Sequence, residues 1–554
     1  MMKLRLLLLV FLALFIAILS KLFYVQFIKP VNPGAGAYLH TGKINAERGK
    51  IFDRNMNPLV LNQNSYLLFA EPKIIQDKDY LIRQLSSVLQ IPEASLSAKY
   101  DETKVWLALH SGIDEDMKKK IDSLHLKGIG LDYSMSRYYP EASLAAHLVG
   151  FVGKNNINED TGYFGLEGFY DKDLIGLPGF LESERDLLGM PIFIGTQERT
   201  NSENGRDLVL TIDKTVQEIS KRKLLEGMES YKAKSGCVIT ADPFTMQIFS
   251  LVCLPDYSIE KYYKFSEEYF KDSAISDLYE PGSTFKPLIV AAALQEKKIK
   301  PDSIFNETGP VTIGEYRIQT WDNKYEGEIS ITRILEKSSN VGMIYIGSKL
   351  GDENVFNYLK KYGFGELTGI DLQGEDSSYL KQKKDWYPID YATATFGQGI
   401  VTTPIQMIRA FASVINGGKL MRPYVVEKMI GSNGKETVIQ PKMERQTISK
   451  SISDIIKKML VDTVEHGEVK WAKPKGYVVG GKTGTAQIAL QGHYDASKTI
   501  ASFIGFAPAD NPKFITLVIL KEPQSSIWGS ETAAPIFFEI AKELLVYYNI
   551  APQQ

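Results

Sequence analysis

The sequence predicts an α+β protein: an N-terminal transmembrane helix, an elongated mixed α/β pedestal, and a larger C-terminal domain on a central, mainly antiparallel five-stranded sheet flanked by helices. Three observations predict it. Leu6 to Leu19 is an unbroken apolar run that Leu22 to Ile28 extends. The polar stretch Asn201 to Gly205 interrupts the pattern of short strands, helices and turns that begins near residue 40. Beyond it, strand signals fall in two groups, Gly236–Thr240 with Gln247–Cys253 and Tyr477–Ile488 with Ile500–Phe506 and Phe514–Leu520. A helix-rich insert separates the groups, and a helix over Ala533–Tyr547 closes the chain, the order of an α+β domain with one main sheet.

The apolar run is close to the length that crosses a bilayer. Lys3 and Arg5 precede it, which favours a cytoplasmic start and an exported body. The expected organisation is a stub at 1–5, an anchor at 6–28, a Pro/Gly linker from Pro30 to Ala37, a pedestal at 40–200 and a larger domain at 205–550. A cleaved signal peptide is the rival reading, with only a weak late site at Gly34 to Ala37.

At 554 residues, 44% hydrophobic and 23% charged, the composition is that of an ordinary globular protein of more than one domain. A net charge of -2 gives no reason to expect nucleic acid as a partner. Six histidines lack ligand spacing and only two cysteines occur, so no metal site and no disulfide framework is expected. Cys237 and Cys253 lie in strand-like runs on either side of an expected turn near Thr245, a placement that would let them face each other across a hairpin. A disulfide fits that placement, but two buried small apolar side chains is the preferred reading.

Three motifs carry chemistry. In Ser283-Thr284-Phe285-Lys286, after the turn Pro281-Gly282, Ser283 is expected at a helix start with Lys286 on the same face. A serine hydroxyl needs a base, and a lysine serves as one when burial or a nearby cation lowers its pKa. Ser338-Ser339-Asn340 is expected on a helix running to Leu350, with Ser338 relaying a proton and Asn340 offering a donor and an acceptor to a peptide amide. Lys482-Thr483-Gly484-Thr485 lies in a strand, where Lys482, Thr483 and Thr485 suit a carboxylate and Gly484 a close substrate backbone. An N–H near Thr485 would join that of Ser283 as an oxyanion hole. Singly, each motif reads as well as a cap, a turn or a strand end. All three in this order, each on the element its chemistry needs, point to one acyl-transfer site.

At these residues the sequence resembles the class B penicillin-binding proteins, over more than three quarters of its length. Further similarity lies in Arg48 to Asn55, Arg137-Tyr138-Tyr139-Pro140 with Ala146 to Gly150, Gly165 to Gly176, and Asp207 to Asp213. Ser276 to Glu280, Gly397-Gln398-Gly399, and Val464 to Gly467 ahead of Gly481 resemble the division-specific (FtsI, penicillin-binding protein 3) type. The resemblance implies a peptidoglycan D,D-transpeptidase with catalytic Ser283, Lys286 and Ser338, and with Asn340, Lys482, Thr483, Gly484 and Thr485 binding substrate. It implies no cofactor, β-lactams as covalent inhibitors, and Gln398 near the cleft. It further implies a cell-membrane location with the catalytic domain outside, and a membrane-embedded SEDS glycosyltransferase (FtsW-like) with other divisome proteins as partners. Elongation- or sporulation-specific enzymes, a hydrolase of the same fold (D,D-carboxypeptidase or serine β-lactamase), a β-lactam sensor and a scaffold are the alternatives.

Ser339 stands where the motif has Asp, expected to matter little because its neighbours are the working positions. Met56 and Met246 stand where the family usually has glycine, so altered turns are expected there. Arg48, Asp53 and Glu167 are expected to form structural ion pairs between domains.

Overall fold

The computed structural model describes residues 2–24, 26, 39–141, 144–156, 159–184, 197–490 and 493–552. The expected linker at Pro30 to Ala37, with Phe27 and Ile28, lies outside them. The chain forms two compact units: residues 1–48 with 175–205, and residues 49–174 with 206–554.

In the first unit, Met2–Phe23 is a 22-residue helix. Its large apolar side chains from Leu7 onward stand exposed, from 49% at Leu22 to 67% at Phe11. Among the described residues, no helix is long and apolar enough to cross a membrane. Leu39–Ile44, Gly179–Glu184 and Gln197–Thr200 make an antiparallel sheet.

The second unit is organised by a wholly antiparallel five-stranded sheet. Its strands are β1 (Ser235–Ala241), β2 (Ile248–Leu254), β3 (Gly480–Leu490), β4 (His493–Ala507) and β5 (Phe514–Lys521), in the order β2-β1-β5-β4-β3. The near-continuous apolar strands are explained by burial on both faces. Val238, Phe503, Val518 and Leu520 pack under α1 (Lys214–Tyr231) and α5 (Ala533–Tyr547). Ile239, Ile504, Ile515 and Leu517 face the helix-rich insert, which contains α2 (Lys286–Gln295), α3 (Asn340–Leu350) and α4 (Lys450–His466). The strand β3 ends the sheet, so among the described residues one of its edges has no strand partner.

The number of sheets corrects the single-sheet expectation. A second sheet of seven strands runs through Glu436–Val438, Val426–Ile430, Asp207–Leu210, Ile51–Phe52, Pro58–Ala70 and Leu107–Ile113, with Ile129–Tyr138 paired to Pro58–Ala70. Ile51–Phe52 joins Asp207–Leu210 in parallel. Residues on both sides of Asn201–Gly205 therefore share one backbone ladder.

Cys237 and Cys253 are direct cross-strand partners and are disulfide-bonded, with Cα atoms 4.1 Å apart, which corrects the preference for two reduced side chains. Register put them opposite one another, but apolar character alone cannot tell a bridge from a packed pair. The turns at the two methionines are not rerouted. Met56 has φ 64 and Met246 φ 58, so both keep the left-handed conformation that favours glycine. Asp53 Oδ1 accepts from the N–H groups of Asn55 and Asn57, and Asp242 Oδ1 accepts from those of Phe244 and Thr245, bracing each turn. Asp53 also takes Lys214 N–H at 3.2 Å, so it works as a turn and helix-start acceptor rather than as an ion-pair partner. Glu167 is fully buried and is held by Arg137 Nε and Nη2 at 2.8 and 2.6 Å.

Candidate active site

The first motif begins at a glycine that geometry requires. Gly282 has φ 55, donates its N–H to Gly397 O at 3.0 Å, and would bring a Cβ within 3.0 Å of Thr485 O. Thr284 Oγ1 closes the turn on Pro281 O at 2.7 Å. Gly282–Phe285 is a 3-10 turn and the α-helix proper starts at Lys286. From Lys286 to Leu294 every residue of α2 is buried, as expected for a helix apolar all round. Lys286 is carried into the interior with it, 0% exposed. Among the described residues the Ser283 hydroxyl makes no hydrogen bond.

Lys286 Nζ is instead held by the second motif, 2.6 Å from Ser338 O, 3.2 Å from Ser338 Oγ and 2.8 Å from Asn340 Oδ1. Burial pushes its pKa well below the ordinary lysine value, and the nearby Lys482 cation adds to the effect. A neutral amine has two N–H donors, which the Ser338 carbonyl and Asn340 Oδ1 satisfy, and one lone pair, to which the Ser338 hydroxyl can donate.

Ser338 is not on the helix that the sequence suggested. It lies between the helix Ile331–Glu336 and α3, at φ 59. Ser338 N–H bonds Leu335 O and Ser339 N–H bonds Ile334 O, the paired bonds of a Schellman helix end, whose left-handed position is usually glycine. This turn aims the Ser338 carbonyl at Lys286. Ser339 also proves more than a spacer. Its hydroxyl caps α3 by accepting Gly342 N–H at 2.9 Å, and it donates to Glu307 Oε1 in a short bond. Glu307, 0% exposed, bonds Lys337 Nζ at 2.8 Å, and Lys337 also reaches Lys324 O at 2.7 Å.

The third motif lies on the edge strand β3. Thr483 and Thr485 line a cleft together with Ser283, Ser338 and Asn340. Lys482 is 1% exposed, with Nζ 3.0 Å from Thr483 Oγ1, so it reaches the cleft through that hydroxyl. Burial pushes its pKa down to about 8, against the opposing pull of Glu468. Thr485 Oγ1 accepts from Gly529 N–H at 3.0 Å. Gly484 has a packing role inside the protein. A Cβ there would meet Ser502 Oγ at 2.4 Å, Thr284 Cγ2 at 2.8 Å and Pro281 O at 3.0 Å, so glycine lets β3 close on the Ser283 turn.

A family description of a penicillin-binding protein transpeptidase domain matches residues 236–542, and one of a penicillin-binding protein dimerisation domain matches 43–210. The chain belongs to the class B penicillin-binding proteins. This penicillin-binding protein is 33% identical over 553 residues to stage V sporulation protein D of Bacillus subtilis (strain 168), covering 98% of this chain and 85% of that one. It is 31% identical over 547 residues to the peptidoglycan D,D-transpeptidase FtsI of Escherichia coli (strain K12), covering 97% and 90%. Among solved structures, a peptidoglycan synthetase from Bifidobacterium adolescentis superposes with a TM-score of 0.76 at 26% identity, covering 93% of this chain and 98% of that one. Penicillin-binding protein 2X from Streptococcus thermophilus superposes at 0.74 and 24% identity, over 92% and 80%, which speaks for the fold alone.

Ser283, Ser338, Asn340, Thr483 and Thr485 thus share one cleft, with Lys286 and Lys482 buried and bonded to its lining residues and Gly484 packed on the Ser283 turn. Gln398 lines it too. Four lining residues of this penicillin-binding protein were missed: Trp321, Phe396, Glu468 and Trp528. The two tryptophans meet edge to face, centroids 5.2 Å apart. Two of only five tryptophans flanked by polar, turn-forming residues were a usable signal, and Glu468 directly follows the His466-Gly467 pair already singled out.

Proposed function

We propose that this protein is a serine-type peptidoglycan D,D-transpeptidase that cross-links stem peptides through an acyl-enzyme on Ser283. The observation that carries the reading is the buried Lys286 amine, biased toward its neutral form and fixed by Ser338 and Asn340 in a cleft lined by an unbonded Ser283 hydroxyl. Such a lysine is a base matched to a serine nucleophile.

In the first half-reaction Ser283 Oγ bonds to the carbonyl carbon of the penultimate D-Ala, and its proton passes to Lys286 Nζ. The amide C–N bond breaks, and the terminal D-Ala leaves as an amine protonated through the Ser338 hydroxyl, 3.2 Å from Nζ. In the second half, an amine of a neighbouring stem peptide attacks the ester carbon and loses a proton, and Ser283 Oγ regains one. Lys482, acting through Thr483, holds the terminal carboxylate with Thr485. Asn340 accepts from Lys286 at Oδ1, and its Nδ2, 3.5 Å from Gln319 O, keeps a second N–H for the peptide amide. A β-lactam acylates Ser283 by the same first step with no fragment departing. The cycle balances without a cofactor.

Labelling with a fluorescent penicillin tests this. The intact protein is expected to label and Ser283→Ala is not, and label persisting on the variant sinks the reading. Cross-linked dimer, rather than free tetrapeptide, separates a transpeptidase from a D,D-carboxypeptidase.

The similarity to FtsI supports a septal role, and that to the sporulation protein supports the sporulation alternative. Imaging the tagged protein in growing and sporulating cells decides. Residues 6–28 are proposed as a single-pass anchor in the cell membrane, 40–200 as the pedestal and 205–550 as the extracytoplasmic transpeptidase domain. Lys3 and Arg5 ahead of an all-round apolar helix support the orientation, and the Cys237–Cys253 disulfide supports an oxidising compartment. Protease treatment of spheroplasts that spares the body of the chain counts against it. An FtsW-like SEDS glycosyltransferase and other divisome proteins are the proposed partners, tested by co-purification in detergent.

A further inference from the structure

Glu468 is the one acidic side chain among the described residues lining the cleft, and the mechanism above gives it no task. It follows the end of α4 by two residues. Its Oε2 lies 3.1 Å from Thr483 Oγ1, and that oxygen lies 3.0 Å from Lys482 Nζ. A threonine hydroxyl has a single proton. Accepting from the Lys482 ammonium, it donates to Glu468, so the chain is Lys482 N–H to Thr483 O–H to Glu468 carboxylate. The hydroxyl that a ligand carboxylate needs is already serving a carboxylate of the protein. A second carboxylate brought to the same hydroxyl meets both competition for one proton and like-charge repulsion in a partly desolvated cleft.

We propose that Glu468 is a specificity-determining residue that occupies the carboxylate subsite of the free protein, so that an anionic ligand acylates Ser283 only as Glu468 gives up the Thr483 hydroxyl. The inference rests on the acyl-enzyme reading of Ser283 and deepens it. It assigns to this chain a site that discriminates against ligands by charge at their carboxylate end. The opposing possibility is that Glu468 helps anions bind, because its charge favours the protonated form of Lys482.

The test compares benzylpenicillin, which carries the carboxylate, with its methyl ester, which does not. Second-order acylation of full-length protein in detergent is measured for the native chain and for Glu468→Gln. The expected result is that Glu468→Gln raises acylation by the free acid by about ten-fold, the equivalent of ~1.4 kcal/mol, and changes that by the ester less than about two-fold. Equal changes for both ligands, no change, or slower acylation by the acid overturns the inference, since each places Glu468 on the lysines or on folding instead. Should Glu468→Gln fail to fold, Glu468→Asp keeps the charge but shortens the reach, and a gain confined to the acid is again expected. If neither ligand labels Ser283 in the native chain, the functional reading has failed and takes this inference with it. If both label it and the acid-to-ester ratio is unmoved by substitution, only the inference has failed.

Discussion

Lys286 Nζ lies 2.6 Å from the carbonyl oxygen of Ser338, a residue held at φ 59 by a helix-end turn. The active-site amine is thus positioned by backbone, and the backbone is positioned by a conformation that serine tolerates at a cost of roughly 1–2 kcal/mol. The Ser338 hydroxyl and the Ser338 carbonyl can therefore be separated by substitution.

Ser338→Gly is expected to leave stability unchanged or raise it by up to about 1 kcal/mol, because glycine suits the left-handed turn. The same change removes the relay hydroxyl and is expected to slow acylation by about 10²-fold or more. Denaturant unfolding and penicillin-labelling rates check the two halves, and stability and rate falling together would show that the turn rather than the hydroxyl matters.

A bell-shaped pH dependence of acylation is expected. Lys286 must be neutral to act as a base, so its lowered pKa gives a limb that rises with pH well below 10.5. Lys482 must stay a cation to hold a carboxylate, so activity falls as pH rises past its pKa of about 8. The two limbs report the coupled pair rather than separate residues. Lys482→Arg, charged at every accessible pH, is expected to remove the alkaline limb, and a rate rising steadily to pH 10 in the native chain would contradict the assignment.

Glu307→Ala leaves the Lys337 cation, beside the Ser339 cap, with only the Lys324 carbonyl and the longer 3.8 Å contact to Glu326, and is expected to cost about 3 kcal/mol. The double variant Glu307→Leu with Lys337→Met removes both charges and is expected to recover much of that. Chemical denaturation of the set decides. A single substitution as mild as an exposed ion pair would mean that the buried contact is not made.

The two left-handed methionines are expected to respond oppositely to glycine. Met56 is 48% exposed, so Met56→Gly mainly relieves backbone strain and is expected to stabilise by up to about 1 kcal/mol. Met246 is 0% exposed, and losing its side chain costs about 2–5 kcal/mol, more than the strain returned, so Met246→Gly is expected to destabilise. Thermal melts of both variants suffice.

The central sheet was legible because short, near-continuous apolar runs bounded by turn signals report strands buried on both faces, and the C-terminal helix over Ala533–Tyr547 has the bounds expected. What escaped was set by distant partners. Ile51–Phe52 is too short to read as a strand without Asp207–Leu210 beside it. Ser338 looked helical because its neighbours are helical, while its φ is decided by the end of the preceding helix. At the site, the motif residues were found because their chemistry is carried by residue type. Glu468, Trp321 and Trp528 enter through the shape of the cleft, which no local pattern encodes.

The seven-stranded sheet has a mechanical consequence. Ile51–Phe52 is hydrogen-bonded to Asp207–Leu210 on one side and to Pro58–Ala70 on the other. Swinging residues 49–174 away from residues 206–554 would shear peptide–peptide bonds instead of sliding one side-chain surface over another. A force applied to the early segment is delivered through the main chain to Asp207–Leu210, which leads within a few residues into α1 beneath the central sheet. The early segment is therefore built less as a hinged foot than as a rigid lever arm.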